Sequence, residues 1–186
     1  ATLLDSVTQR EWTKVQGRFE DIAFQEPPTQ QMWLLVNALD ADIEKIGSLK
    51  PQLRAYAEQT AASGWCPSMM RIEEFIDLGE RAFPLHPTVM ASLPFLFRRL
   101  AQNERSIFAY LASHEPFGFQ EFIQLNYLPS LIRLPHLFDY LSANFQARLY
   151  ATGRTRAITE TLERLSNANG LSEMETNLLK SIGLLN

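Results

Sequence analysis

Apolar residues in this chain recur three and four positions apart, the spacing that gathers side chains onto one face of a helix. Leu3, Leu4, Val7, Trp12, Val15 and Phe19 form the first such stripe, and Gly17 can end it. After the pair Pro27-Pro28, Thr29 can cap a second helix over residues 29–46, with Met32, Leu35, Val36, Leu39, Ile43 and Ile46 inward. Gly47 closes it, and Pro51 suits the first turn of a third helix that buries Leu53, Tyr56, Ala57 and Thr60 and stops at Gly64. Ser68 can cap a fourth, running through Met69, Ile72, Phe75, Ile76 and Gly79 to the neighbourhood of Phe83-Pro84.

Beyond His86 the pattern changes. Pro87 can start a fifth helix, but Pro94 lies inside it and predicts a bend near Met90, because proline removes a backbone donor and crowds the preceding turn. Ile107, Phe108, Tyr110 and Leu111 mark a further helix. Pro116, Gly118 and Pro129 make residues 114–134 irregular apart from one short helix over 119–126. Two regular helices follow, over 135–152 and 154–167, separated by Gly153, and Gly170 ends the second. Ser172 and Glu175 then have capping-box spacing before Leu178, Leu179 and Ile182.

The best strand candidate, residues 19–24, is short and carries Glu20-Asp21. The expected fold is therefore all-α: an irregular bundle of about nine helices, one of them kinked by proline. Prolines and glycines do not recur at the period of about 34 to 47 residues that a helical repeat requires. Residues 1–186 read as one helical region, with a possible subdivision near 84–87.

At 186 residues and 21.3 kDa, with 46% apolar and 20% charged residues, the chain can bury a core without staples. A net charge of −4 supplies no basic footprint, which argues against nucleic acid as a partner of this piece alone. The lone Cys66 leaves no internal disulfide and suits a reducing compartment, so the cytoplasm is expected. Residues 83–97 are apolar and uncharged, but they are too few to span a bilayer and contain Pro84, Pro87 and Pro94, so no membrane is expected as a partner. No secretion signal opens the chain. An amphipathic pattern begins almost at Ala1, and apolar residues still accumulate at Gly183-Leu184-Leu185-Asn186. This suggests a piece of a longer protein, the alternative being methionine removal before Ala1 and a naturally apolar end.

Catalytic motifs are missing. The sequence contains no GxxxxGK[ST] phosphate loop, no GxSxG elbow and no HExxH pair, so neither catalytic nor metal-ligating residues are assigned. His86, His114 and His136 each lie beside or near a proline and are expected at helix starts, bonded to backbone. Cys66, between Trp65 and Pro67, reads as a small core residue rather than an activated thiol. Asp40, Asp42 and Glu44, and again Glu73, Glu74, Asp77 and Glu80, read as solvated helix faces.

Two groups carry more. Arg98, Gln102 and Arg105 follow helical spacing beside Arg99 and Asn103, and such a face either meets phosphate or forms a helix end salt-bridged through Glu104; Arg18 is read likewise. Phe117, Phe119, Phe122 and Tyr127 form an aromatic segment that is a candidate interaction surface.

Residues 11–24 (EWTKVQGRFEDIAF), 100–123 (LAQNERSIFAYLASHEPFGFQEFI) and 178–186 (LLKSIGLLN) resemble segments of large bacterial P-loop, AAA-like ATP-binding proteins, some of them encoded with phage-defence systems. The resemblance covers nearly all of the chain. It implies an internal helical region downstream of the nucleotide-binding core, whose partners are the rest of the parent chain or other protomers. The family's phosphate loop and acidic metal-binding strand are absent from this piece, so ATP and Mg would belong to the parent and no cofactor is expected here. Arg18, Arg98 and Arg105 would then serve as sensor or finger residues that complete a neighbouring site. The alternative is a free-standing helical protein-interaction domain. A third reading, an enzyme with a helical active site, requires a deep pocket lined by His86, His114 or His136.

Overall fold

Proline and glycine punctuation sets the element order. The computed structural model describes residues 27–39, 47–100, 105–126, 129–145 and 156–186. Among these residues nine α-helices follow one another and no strand forms: α1 Pro28–Ala38, α2 Lys50–Thr60, α3 Ile72–Arg81, α4 Pro87–Leu100, α5 Arg105–Ala112, α6 Phe119–Leu125, α7 Leu134–Asn144, α8 Arg156–Asn167 and α9 Glu173–Leu185. The stripe from Leu3 to Phe19, residues 40–46 and residues 146–155 lie outside the described residues.

Several boundaries move, each for a local reason. Pro28 rather than Thr29 opens α1, because a missing N–H costs nothing in a first turn; Pro27 precedes it and accepts the Gln31 amide at 3.0 Å. The helix ends at Ala38, short of the expected Ile46, and Leu39 turns extended and packs against the core. After α2 the chain widens into a π-type turn, Ala61–Trp65, which Gly64 ends at a φ of 83°, a region that favours glycine. Residues 67–70 form a turn closed by the Met70 amide on the Pro67 carbonyl (2.9 Å), so α3 starts at Ile72 and not after Ser68. That turn sends Met70 inward, puts Met69 before the helix and leaves Met69 93% and Ile72 61% exposed.

Helices α2 and α3 pack against each other. Arg54 reaches Glu73, Asp77 and Glu80 across the pair and Glu58 on its own helix, at 3.2–3.5 Å, and Lys50 meets Glu80 at 3.2 Å. These carboxylates therefore mark helix register rather than only a solvated face, although each exposed pair contributes no more than about 1 kcal/mol. On the other side, Trp33 Nε1 donates to Glu74 at 2.8 Å and the Arg81 guanidinium lies 5.9 Å over the Trp33 ring, joining α1 to α3.

Helix α4 is the centre. Val89, Met90, Ala91, Leu93, Leu96 and Phe97 are all buried, and α4 packs against α1, α2, α3, α5 and α7. Pro94 lies inside it, yet the helix runs from Pro87 to Leu100; burial on most sides offsets the lost backbone bond. Just before it, the Ile132 amide donates to the Pro84 carbonyl (2.8 Å) and the His86 amide to the Ile132 carbonyl (2.9 Å), pinning residues 84–86 to the segment before α7. The main core draws on residues from Met32 to Leu184, on both sides of 84–87.

Aromatic rings fill the space between α4, α5, α6 and α7. Tyr110 and Tyr140 meet edge to face with centroids 4.7 Å apart, Phe97 lies 6.1 and 6.3 Å from them, and Phe119 and Phe145 close the group. Burial of these rings stabilises the irregular segment that the prolines interrupt. Tyr140 Oη donates to Glu115 Oε2 at 2.6 Å, Gln120 Nε2 to the Leu111 carbonyl at 2.6 Å and Asn144 Nδ2 to the Pro116 carbonyl at 2.9 Å.

Helix α9 packs on α7 and α8. Its capping box forms as expected: Glu175 N–H donates to Ser172 Oγ at 3.3 Å, and Ser172 N–H to Glu175 Oε2 at 2.8 Å. Lys180 Nζ pairs with Asp139 at 2.8 Å. The tightest approach is at Gly183, where an added Cβ would fall 2.7 Å from Thr161 Cβ and 2.9 Å from its Cγ2. Gly183→Ala is expected to cost about 1–3 kcal/mol through overpacking, although alanine is the better helix former by about 0.5–1 kcal/mol. Thr161→Ala in the same chain should recover part of the loss. Urea unfolding checks this, and a stabilised Gly183→Ala would refute the close approach.

Candidate interaction surface

A helix on a protein surface normally turns its apolar stripe inward and its polar face to water. Helix α9 departs from that rule. Its inward face carries Gly183 and Leu184, both buried, beside partly buried Thr176, Leu179 and Lys180. Met174 (81% exposed), Leu178 (57%), Ile182 (48%) and Leu185 (46%) stand on the opposite face, continued before the helix by Leu171. The spacings of 4, 4 and 3 residues put the four from Met174 to Leu185 within one side of the helical wheel.

The stripe runs into a groove. Between the end of α4, the turn at Gly64-Trp65 and the end of α9 lies a cavity of ≈ 460 Å³, bordered by Phe95, Leu96, Arg99, Leu184 and Leu185. Phe95 is half exposed within it. Arg99 Nη2 donates to the Asn186 carbonyl at 3.2 Å, which fixes a guanidinium beside the C-terminal end of α9, where the helix dipole is negative. Stripe and groove together form an apolar surface with a cation at one end and the acidic first turn, Glu173 and Glu175, at the other.

Of the three arginines singled out from sequence, only Arg98 has its side chain among the described residues. Arg98 is exposed in the last turn of α4 and has a partner of its own, Arg105 opens α5 with its side chain outside the described residues, and Arg18 is also outside them. Among the aromatic four, Phe117 is exposed, with its amide donating to the Glu121 carboxylate, and Tyr127 is not described. Phe119 is buried against Tyr110, and Phe122 is turned edge-on to His136 at 5.2 Å. Of the expected aromatic surface, Phe119 is therefore buried and Phe122 partly buried against the core, while Phe117 stands exposed.

Sequence reasoning missed the α9 stripe, although its signal was present. Met174, Leu178, Ile182 and Leu185 share one face, while Gly183, the smallest residue, marks the opposite face as the one that can approach a neighbour closely.

The histidines sit where the prolines placed them. His86 Nδ1 accepts the Thr88 amide at 3.3 Å at the start of α4, and its ring lies 5.2 Å from that of Tyr56. His136 Nδ1 accepts the Arg133 amide at 3.0 Å at the start of α7, and His114 is exposed. Burial, then the nearby Arg133 charge, pushes His86 down to about 4. Burial likewise lowers His136. Both rings are therefore neutral acceptors near neutral pH. Cys66 is partly buried, and desolvation, then Glu74, raises its thiol, the opposite of activation. Among the described residues no three His, Cys, Asp or Glu side chains converge as a metal site, and no helix is long and apolar enough to cross a membrane.

Compared with protein-family models, curated proteins and solved structures, the chain finds no match in any of the three.

His86 generates a pH prediction. Its folded pKa of about 4 lies below the ordinary 6.5, so between those values the unfolded chain binds the proton and the native chain does not. Its contribution to stability is complete above about pH 6.5 and is lost as pH falls towards 4, amounting to about 1–2 kcal/mol after allowance for partial exposure. His86→Asn keeps an acceptor for the Thr88 amide without a titrating group, so its urea midpoint should fall less than the parent's between pH 6.5 and 4.5. Equal losses would show that another group carries the effect.

Proposed function

We propose that this chain is a non-catalytic helical packing module that acts by binding protein through the outward face of α9. The observation that carries the reading is the stripe Leu171, Met174, Leu178, Ile182 and Leu185: these side chains stand 37–81% exposed, at a net cost of roughly 1–2 kcal/mol each relative to full burial. A continuous apolar surface of this kind marks a contact with another protein. The three resembling stretches, one of which is residues 178–186 within this helix, suggest where the contact lies. The module belongs to a larger bacterial cytoplasmic P-loop ATPase and packs on its nucleotide-binding core or on a neighbouring protomer. Chemistry, ATP and Mg stay with the parent.

The test has two steps. Intact mass of the native gene product, captured from its host with antibody to this chain, should lie far above 21.3 kDa, with a phosphate loop in the additional sequence. Leu178→Asp with Ile182→Asp in that product should then lower ATPase turnover roughly tenfold or more while helix content by circular dichroism is unchanged. A native product of 21.3 kDa removes the ATPase context and leaves a free-standing interaction domain using the same face. An unaltered rate in a larger product removes the role of α9.

A further inference from the structure

We infer that the cavity between the start of α2 and the segment leading into α7 is a binding site for a small organic monocarboxylate with an apolar body, seated by Arg133 and Tyr56. The inference goes beyond the reading of α9 and shares no residue with it. The cavity measures ≈ 220 Å³, the share of about seven molecules of liquid water. Its floor is a small apolar cluster separate from the main core, in which Leu53 and Phe83 are buried and Leu49 and Leu131 pack against them. Gln52, Tyr56, Ser130 and Arg133 supply the polar part of the lining, and none of the lining residues is acidic.

The polar groups favour an anion. Elsewhere on this surface arginine finds a carboxylate: Arg54 meets four, Arg71 meets Glu74 and Arg156 meets Glu160. Among the described residues Arg133 meets none. Its guanidinium lies 5.5 Å over the Tyr56 ring, and that contact positions the fork at the cavity without using its N–H groups on a protein acceptor. The Tyr56 hydroxyl accepts from Gln52 Nε2 at 2.9 Å, which leaves its own O–H to donate. The Tyr56 ring is also 5.2 Å from the His86 ring, so the tyrosine is braced by two neighbours.

One cation above an apolar floor sets the ligand class. A carboxylate takes two parallel N–H bonds from a single guanidinium, and its hydrocarbon part then covers Leu53 and Phe83. A phosphate dianion would keep one charge uncompensated and turn oxygens towards a floor that offers them no donor. The site is small and its rim is open, so the affinity is modest, with Kd of roughly 0.1–1 mM.

Fluorine NMR of the 186-residue chain titrated with para-fluorobenzoate should show saturable broadening of the probe with Kd in that range. The neutral isostere para-fluorobenzamide should bind roughly tenfold more weakly or worse. Arg133→Gln should lose about tenfold or more in affinity with unchanged circular dichroism, and Tyr56→Phe, which keeps the ring under Arg133, roughly threefold to tenfold. Leu178→Asp with Ile182→Asp should bind the probe as the parent does, so the two readings fail separately. No saturation up to about 10 mM probe overturns the site. Equal binding of the amide, displacement of the probe by inorganic phosphate at equal or lower concentration than by benzoate, or an unaltered Kd in Arg133→Gln overturns it too.

Discussion

The edge-to-face contact of Tyr110 with Tyr140, 4.7 Å between centroids, is the junction on which the second half of the molecule depends. Both rings are buried, and burying a phenol has a cost: its hydroxyl leaves water and requires an acceptor. Tyr140 finds one in Glu115, and desolvation together with that carboxylate holds its phenol well above the usual range. The bond anchors the turn between α5 and α6. Asn144 and Gln120 tie the same turn to α7 and α5, so a segment with little helical pattern is held by side chains rather than by a backbone ladder. Once α7 is fixed, Asp139 meets Lys180 and α9 has its seat.

The legible parts of the fold were those where one local rule decides the outcome. Ser172 and Glu175 satisfy each other's amides wherever that spacing precedes a helix, and Pro51, Pro87 and Pro135 open helices because their rings preset the first turn. Gly64 stops a helix through its positive φ. Boundaries failed where tertiary contact overrides the local preference. Ser68 is a good cap, yet the chain closes a turn from Pro67 to Met70 because Met70 is wanted in the core. Leu39 fits the stripe of α1, yet packs from extended backbone.

The candidate surface was hidden for a different reason. In α9 Met174, Leu178, Ile182 and Leu185 stand on one side and Leu179, Gly183 and Leu184 on another, and periodicity alone does not say which side faces in. The choice falls to Gly183, whose missing side chain lets Thr161 of α8 come close, and with that side inward Met174, Leu178 and Ile182 have no place but the outside. Around α6 the aromatic residues divide between core and surface. Phe117, Phe119 and Phe122 look like an exposed aromatic run, but the ring cluster around Tyr110 draws Phe119 in, and His136 takes the edge of Phe122.

A helix that is hydrophobic all round belongs to an interior. Helix α9 is not of that kind, since polar residues separate an inner side, where Gly183 meets Thr161 of α8, from an outer side where Met174, Leu178 and Ile182 face water. Interiors are packed to crystal density, so the outward side chains of such a helix gain their full stabilisation only when a second surface of matching relief covers them. The inward contacts, with Lys180 on Asp139 and Gly183 on Thr161, already fix the helix without help from outside. Its apolar outer face is therefore not needed for folding.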